Sequence, residues 1–350
     1  MDTNAVIFSE LLTQHATGFA VERYTPDQMA EWDEFVRTAK NGTFLLERNY
    51  MDYHCDRFVD YSLMVYRGNQ LMALLPGNLN EDGCVVSHGG LTYGGLVLPK
   101  AASFLKIMGS FQAVLAYLWE QGIPTLYYKP VPGIYCTISN EDMSLVLFQL
   151  EARICQRDAI VAINQADRLA FRKGRKSEIS KARRAGVTLA GGMDFAPFWE
   201  EILIPRLAEQ YGASPVHSLE EIAGLAVRFP GNIKQYSAYF EGRIVAGATI
   251  YETPRVAHAQ YIAVSEMGQK TGALDYLFDS LINDIYRHKA FFDFGSCKKG
   301  DRTTFNYGLL NWKESFGGRC YSHDFYVIAT ENYRMLAPSH ALKNYVHHRM

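Results

Sequence analysis

The sequence predicts an α/β (α+β) protein of two tandem domains, each a mixed, mainly antiparallel sheet flanked by helices. Three observations predict it. A hairpin, a third strand, a glycine-containing loop, an amphipathic helix and a closing strand occur twice in the same order. The copies keep a constant step, since Gly68 and Gly242 lie 174 positions apart (242 − 68) and so do Gly94 and Gly268 (268 − 94). Such internal similarity argues for duplication. The 350 residues are also large for one core and comfortable for two domains.

In the first copy, YSLMVY (Tyr61 to Tyr66) and LMALLPGNL (Leu71 to Leu79) flank the turn Arg67-Gly68-Asn69-Gln70. A second turn, Glu81-Asp82-Gly83, leads to the strand CVVSHGG and then to the glycine-rich LTYGGLVLPK. The helix that follows places Phe104, Leu105, Met108, Phe111, Leu115 and Leu118 at helical spacing, and LYYK closes the unit. The second copy opens with QYSAYF (Gln235 to Phe240) and RIVAGATIY (Arg243 to Tyr251) around Glu241-Gly242. A buried strand ends at Val264. Leu274, Leu277, Phe278, Leu281, Ile282 and Ile285 then recur at helical spacing, so a helix is expected to start near Thr271. The loop Gly268, Gln269, Lys270, Thr271, Gly272, Ala273 is expected to aim backbone N–H groups at an anion on that N-terminus.

Composition excludes several classes. The chain is 48% hydrophobic and 21% charged, as in ordinary soluble proteins, and contains no run of about 18 apolar residues. Its acidic N-terminal stretch lacks the basic start and apolar core of a signal peptide, so a cytoplasmic location is expected. Six scattered cysteines without a C-x-x-C pair suggest buried thiols rather than a zinc site or a disulfide framework, and no metal is expected. A net charge of −2 gives no global pull toward nucleic acid.

A strand, a Gln-x-x-Gly-Ala loop and a helix in this order resemble the acyl-CoA pyrophosphate loop of the GNAT acyltransferase superfamily. The block FFDFGSCKKGDRTTFNYGLLNWKESFGGRC (Phe291 to Cys320) is similar to the FemAB branch, in which an Asp-aromatic-Gly strand precedes a helix with an aromatic-Lys-x-x-Phe-Gly motif. Trp312-Lys313-Glu314-Ser315-Phe316-Gly317 matches that motif. RKGRKSEISKARRAGVTL (Arg172 to Leu189) resembles the branch's basic helix, which ends in a glycine before a strand. These motifs span residues 165 to 330. The resemblance implies tandem GNAT-like domains and a bacterial cell-wall or surface-polysaccharide setting. It departs from the acyl-CoA pattern in having fewer loop glycines, and Lys270 in place of an arginine.

On this reading residues 1–163 form an N-terminal acceptor-side domain, 164–335 a C-terminal domain with the donor loop and basic helix, and 336–350 a tail. The join lies between Ala152 and Ala170, with no Pro/Gly/Ser-rich linker. Acyl transfer to an amine needs a neutral nitrogen, a place for the oxyanion and a route for a proton, but no covalent nucleophile. Lys313 is the first candidate, as a cation beside the oxyanion, against its reading as the polar side of an amphipathic helix. Asp293, between phenylalanines on an apolar strand, is the second, able to orient an amine or to bind backbone amides. His88 and Tyr93, in a nine-residue run with four glycines, are candidate acceptor contacts. Arg172, Arg175 and Lys176 belong to eight positive side chains between Arg168 and Arg184, for which phosphate is the natural partner. Tyr261 on the buried strand is a further candidate substrate contact.

The leading expectation is therefore an N-acyltransferase acting on an amino sugar held on a nucleotide or lipid carrier. Acyl-CoA is favoured as donor over aminoacyl-tRNA, because only one strongly basic segment is present and no long heptad arm interrupts the second domain. The alternatives are an aminoacyl-tRNA-dependent aminoacyltransferase and a non-catalytic protein that holds a glycan or nucleotide. A basic-helix adaptor for RNA or peptide is a further one.

Overall fold

The computed structural model describes residues 18–298 and 304–336. Their contacts form two units: one ends at Arg157 and resumes at Asp324, and the other runs Asp158–His323. Both divisions fall inside strands rather than at the 163/164 and 335/336 positions read from the sequence. Of the expected tail, all but Leu336 lies outside the described residues, as does the N-terminal stretch through residue 17.

In the first unit β1 (Phe19–Arg23), β3 (Leu63–Arg67) and β4 (Gln70–Leu75) form a three-stranded sheet, while β2 (Val59–Asp60), β5 (Asn78–Leu79), β6 (Val85–Val86) and β7 (Thr125–Tyr128) belong to a second one. The expected strand Leu71 to Leu79 is thus two strands, divided at Pro76-Gly77. Proline cannot donate to a ladder. The expected strand CVVSHGG shrinks to Val85 and Val86, and the glycines beyond it run as irregular chain. The helix Phe104–Glu120 forms where the apolar spacing requires it and buries Ile107, Met108, Phe111, Val114, Leu115 and Leu118 in the unit's core.

β8 (Arg153–Asn164) carries the chain into the second unit, where β9 (Thr188–Gly192), β10 (Ile233–Phe240), β11 (Arg243–Glu252), β12 (Val256–Val264) and β13 (Phe291–Ser296) follow. The order is β8-β13-β12-β11-β10-β9. Only the pair β12/β13 is parallel; β8 runs antiparallel to β13, and β9 to β12 alternate. One face buries the alanines and phenylalanines of β10 to β13 against Leu277, Phe278, Leu281 and Ile282. The last strand, β14 (Arg319–Ala329), ends by pairing Tyr326 to Ala329 with Tyr128 to Thr125 of β7. It thereby completes the first unit. Thr330–Leu336 then seals that core, with the Thr330 hydroxyl donating to Ile123 O at 2.6 Å.

Candidate active site

The parallel pairing of β12 and β13 covers three residue pairs and stops at His258↔Asp293. Both strands bulge there. Between the pairs Ile250↔Ala259 and Thr249↔Tyr261, β12 holds one extra residue, Gln260. On β13 the register with β8 shifts between Asp293 and Ser296, with Gly295 at φ +73° inside the shift. Bulges bend a strand and re-aim its side chains. Here the β12 bulge exchanges the faces: Ala257 and Ala259 lie in the core before it, while Ile262 and Val264 pack on that same core after it. His258 and Tyr261 are left together on the opposite face. Phe292 and Phe294 are core residues, so Asp293 between them shares the face of His258.

Asp293 is held on two sides. Its Oδ2 lies 2.9 Å from His258 Nδ1, and its Oδ1 accepts the Gly295 N–H at 2.6 Å. His258 Nε2 lies 3.1 Å from Gln260 Oε1. The imidazole side chain is 16% exposed and the carboxylate 2%, so the pair runs from a partly open edge into the interior. The sequence pointed to Asp293 but missed His258 and Gln260. The available signal was the alternation His258-Ala259-Gln260, polar at every second position of an otherwise apolar strand. Their pairing with a residue 35 positions away on a parallel neighbour leaves no local trace.

Lys313, expected as an open cation, is buried at 2% exposure. Its helix, Tyr307–Ser315, sends the ammonium to Gly295 O at 3.0 Å and Ser296 O at 2.7 Å. Burial pushes its pKa below the ordinary lysine value, against the opposing pull of Cys297 and Asp293. Burial likewise pushes the Cys297 thiol up, with Lys313 opposing it. Lys313 therefore clamps the two carbonyls that follow Asp293. The expectation of buried thiols holds for Cys136 and Cys297, while Cys55, Cys155 and Cys320 are exposed.

The stretch Gly268 to Ala273 is not an open loop. A short helix, Glu266–Thr271, begins as soon as β12 ends, capped by the Ser265 hydroxyl accepting from Gly268 N at 3.1 Å. The expected helix start near Thr271 is instead a break: Gly272 turns left-handed at φ +74° and a second helix runs Ala273–Ser280. The glycines are there for close packing. A Cβ on Gly268 would lie 2.2 Å from Val245 O, and one on Gly272 would lie 2.5 Å from Glu178 O. Gly268, Thr271, Gly272 and Ala273 are buried, leaving Gln269 and Lys270 exposed.

The basic helix, Lys173–Arg184, spends part of its charge internally. Arg175 bonds both oxygens of the buried Asp275 at 2.7 Å, and burial still leaves that carboxyl with a raised pKa. Arg183 bonds Asp279 at 2.7 Å, Arg172 bonds Asn311 at 2.5 Å, and Arg168 bonds Asn283. Lys173, Lys176 and Arg184 are exposed. Tyr261 is buried, its hydroxyl 2.6 Å from His217 Nδ1 and its ring edge-on to Trp199.

In the first unit Tyr93 is buried and donates to Thr43 Oγ1 at 3.1 Å. His88 is buried too, stacked on His54 at 5.2 Å with its Nδ1 unpartnered. Burial, reinforced by the nearby His54, Lys129 and Arg48, lowers its pKa to about 3. Of the sequence-selected residues, Asp293 and Lys313 interact electrostatically at the β13 bulge, and the Gly268 to Ala273 stretch packs on the basic helix, with Gly272 against Glu178. Among the described residues no group of three or more His, Cys, Asp and Glu side chains gathers as a metal site. No helix of the described residues is long and apolar enough to cross a membrane.

No family model matches the chain, and no curated protein matches it in sequence. Solved structures share its fold. The structure of FemX matches with a TM-score of 0.63 at 12% identity, covering 91% of this chain and 100% of that one. L-PGS from Bacillus licheniformis matches at 0.55 and 15% identity over 94% and 98%. The C-terminal domain of a putative lysylphosphatidylglycerol synthetase from Agrobacterium fabrum matches at 0.51 and 12% identity over 88% and 96%. At such identities the likeness is one of fold: the chain shares the fold of FemX and L-PGS over nine-tenths of its length.

Proposed function

We propose that this protein is an N-acyltransferase that moves an acyl or aminoacyl group onto an amine of a cell-surface precursor, such as an amino sugar on a nucleotide or lipid carrier. The observation that carries the reading is the end of the β12/β13 pairing at a buried aspartate bonded to a largely buried histidine, on a fold shared with transferases. An acyl carbonyl laid along the freed edge of β12 would meet an incoming amine beside Asp293. The amine nitrogen attacks the carbonyl carbon, a C–N bond forms, and the bond to the departing sulfur or ribose oxygen breaks. No covalent enzyme intermediate is required.

Within this reading Lys313 is a positioning residue, because its donors are committed to Gly295 O and Ser296 O, which fix the bulge that presents Asp293. The exposed Lys270, Lys173 and Lys176 are the cations proposed for the phosphates of the donor, with acyl-CoA preferred and aminoacyl-tRNA as the alternative. Incubation with acyl-CoA or aminoacyl-tRNA donors and amino-sugar acceptors, read by mass spectrometry, tests it. An amide product from either donor supports the reading, and none from any combination overturns it. One observation favours a second reading, a binding protein without turnover: Lys313 and most of the Gly268 to Ala273 stretch are buried. Saturable acceptor binding without product would select it.

A further inference from the structure

We infer that His258 is the proton acceptor of the transfer and that Asp293 fixes which of its nitrogens takes the proton, an inference that rests on the acyltransferase reading. An ionised carboxylate only accepts hydrogen bonds. The 2.9 Å contact of Asp293 Oδ2 therefore places hydrogen on His258 Nδ1 and leaves Nε2 as the nitrogen that gains or loses a proton. Nε2 lies 3.1 Å from the Gln260 carboxamide, which can donate through its NH2 to the bare nitrogen and accept through its oxygen from the protonated one.

The surroundings separate this pair from a purely structural one. A carboxylate with no other donor would need the histidine for its own satisfaction. Here Asp293 already has the Gly295 N–H at 2.6 Å, and the imidazole edge lies where the two strands part. A Cβ on Gly295 would stand 3.2 Å from His258 Cε1, so the left-handed glycine is also what gives the ring its room. Behind the carboxylate stands Lys313, close enough to interact with it electrostatically, but its ammonium donates to Gly295 O, to Ser296 O and to the Cys297 sulfur. Burial holds the carboxylate in place while the ring remains reachable.

The step balances without another reagent. As the amine nitrogen bonds to the acyl carbon, its N–H proton passes to Nε2, and Asp293 stabilises the resulting imidazolium through Nδ1–H. The C–S or C–O electron pair leaves with the sulfur or oxygen of the donor, which then takes the proton back from Nε2–H. The products are an amide and a thiol or hydroxyl, and His258 is neutral again.

Two measurements on the full chain test this. In the first, diethyl pyrocarbonate, which reacts with unprotonated imidazole nitrogen, is mapped by mass spectrometry over the ten histidines. His258 should be carbethoxylated, and Asp293→Asn should slow that site several-fold while leaving the others unchanged. A His258 that is unreactive, or indifferent to Asp293→Asn, overturns the inference whether or not a substrate has been found. In the second, single-turnover transfer is followed against pH for wild type, His258→Gln and His258→Ala with added imidazole. The expected result is a loss of roughly 10²- to 10⁴-fold with a changed pH profile, partly rescued by imidazole. An active wild type matched by His258→Gln in rate and pH profile overturns the inference and leaves the acyltransferase reading standing. A wild type with no transfer sinks that reading instead, and the carbethoxylation result then decides His258.

Discussion

His88 in the first unit and His258 in the second lie at or near the end of a short parallel pairing, four positions out of step with the repeat, and have different surroundings. Each lies where a short parallel pairing ends: β6 and β7 stop at Val86↔Tyr127, two residues before His88, and β12 and β13 stop at His258↔Asp293. Beside His258 the neighbouring strand supplies a carboxylate. Beside His88 the chain after β7 supplies Lys129, whose ammonium bonds His88 O at 2.9 Å and Leu91 O at 2.5 Å. The first histidine is surrounded by His54, Lys129 and Arg48 and stays neutral and buried, whereas the second is bonded to a carboxylate and keeps 16% of its side chain exposed. Repeating a fold does not repeat a site; the two histidines differ in the charge of their neighbours.

The strongest way to break this comparison is to remove the charge that distinguishes the two. Asp293→Asn should lower single-turnover transfer by roughly three orders of magnitude, as loss of an orienting carboxylate does, while the urea midpoint moves little. An unchanged rate would make the His258–Asp293 pair as inert as His88.

The glycines that align across the two units come next. A Cβ on Gly94 would lie 2.1 Å from Ser87 O and one on Gly268 2.2 Å from Val245 O, so both positions are tight against backbone. Gly94→Ala and Gly268→Ala should each cost on the order of 3 kcal/mol in chemical denaturation. A Gly268→Ala protein of full stability that has lost only donor binding would instead restore the open-loop reading.

The two clamping lysines should respond alike in stability and differently in rate. Lys313→Met leaves Gly295 O and Ser296 O without their donor, at a cost of about 1–3 kcal/mol, and Lys129→Met should cost about as much. Only the Lys313 variant should also slow transfer, through the displaced Asp293. Equal kinetic effects would mean that the clamp has no connection with the chemistry.

The last contrast is a pH dependence that belongs to His88 in the first unit. The pKa of His88 is about 3 when folded and near the ordinary 6.5 when unfolded. Below pH 6.5 the unfolded chain therefore takes up a proton that the folded chain refuses. Its stabilising contribution is complete above pH 6.5 and is lost as pH falls toward 3, at up to about 1.4 kcal/mol per pH unit. Urea midpoints at pH 7 and pH 5 should converge in His88→Asn and stay apart in wild type. If the gap persists in the variant, another group carries it.

Much of the fold was legible because it is local. The hairpin turns rest on Gly68 at φ +57° and on Glu241-Gly242 at φ +50° and +75°, and the helices Phe104–Glu120 and Lys173–Arg184 announce themselves by spacing and charge. The site was half legible. Asp293 and Lys313 are conspicuous as charges among apolar residues, but what each does depends on partners. The charge run from Arg168 to Arg184 looked like a phosphate surface, yet Arg175 and Arg183 are matched to Asp275 and Asp279 one hundred and 96 positions away. The glycines of Gly268 to Gly272 looked like an opening and proved to be places of closest approach.

By itself, the sequence determined the elements and their repetition, because apolar period and turn chemistry act within a few residues of each other. Only the tertiary structure decided that the β12/β13 register sets His258 beside Asp293, that Lys313 is clamped to two carbonyls, and that His88 lies among His54, Lys129 and Arg48. The reason is physical: whether a side chain is charged, clamped or reactive depends on the field and the donors within a few ångströms. Strands distant in sequence supply those neighbours.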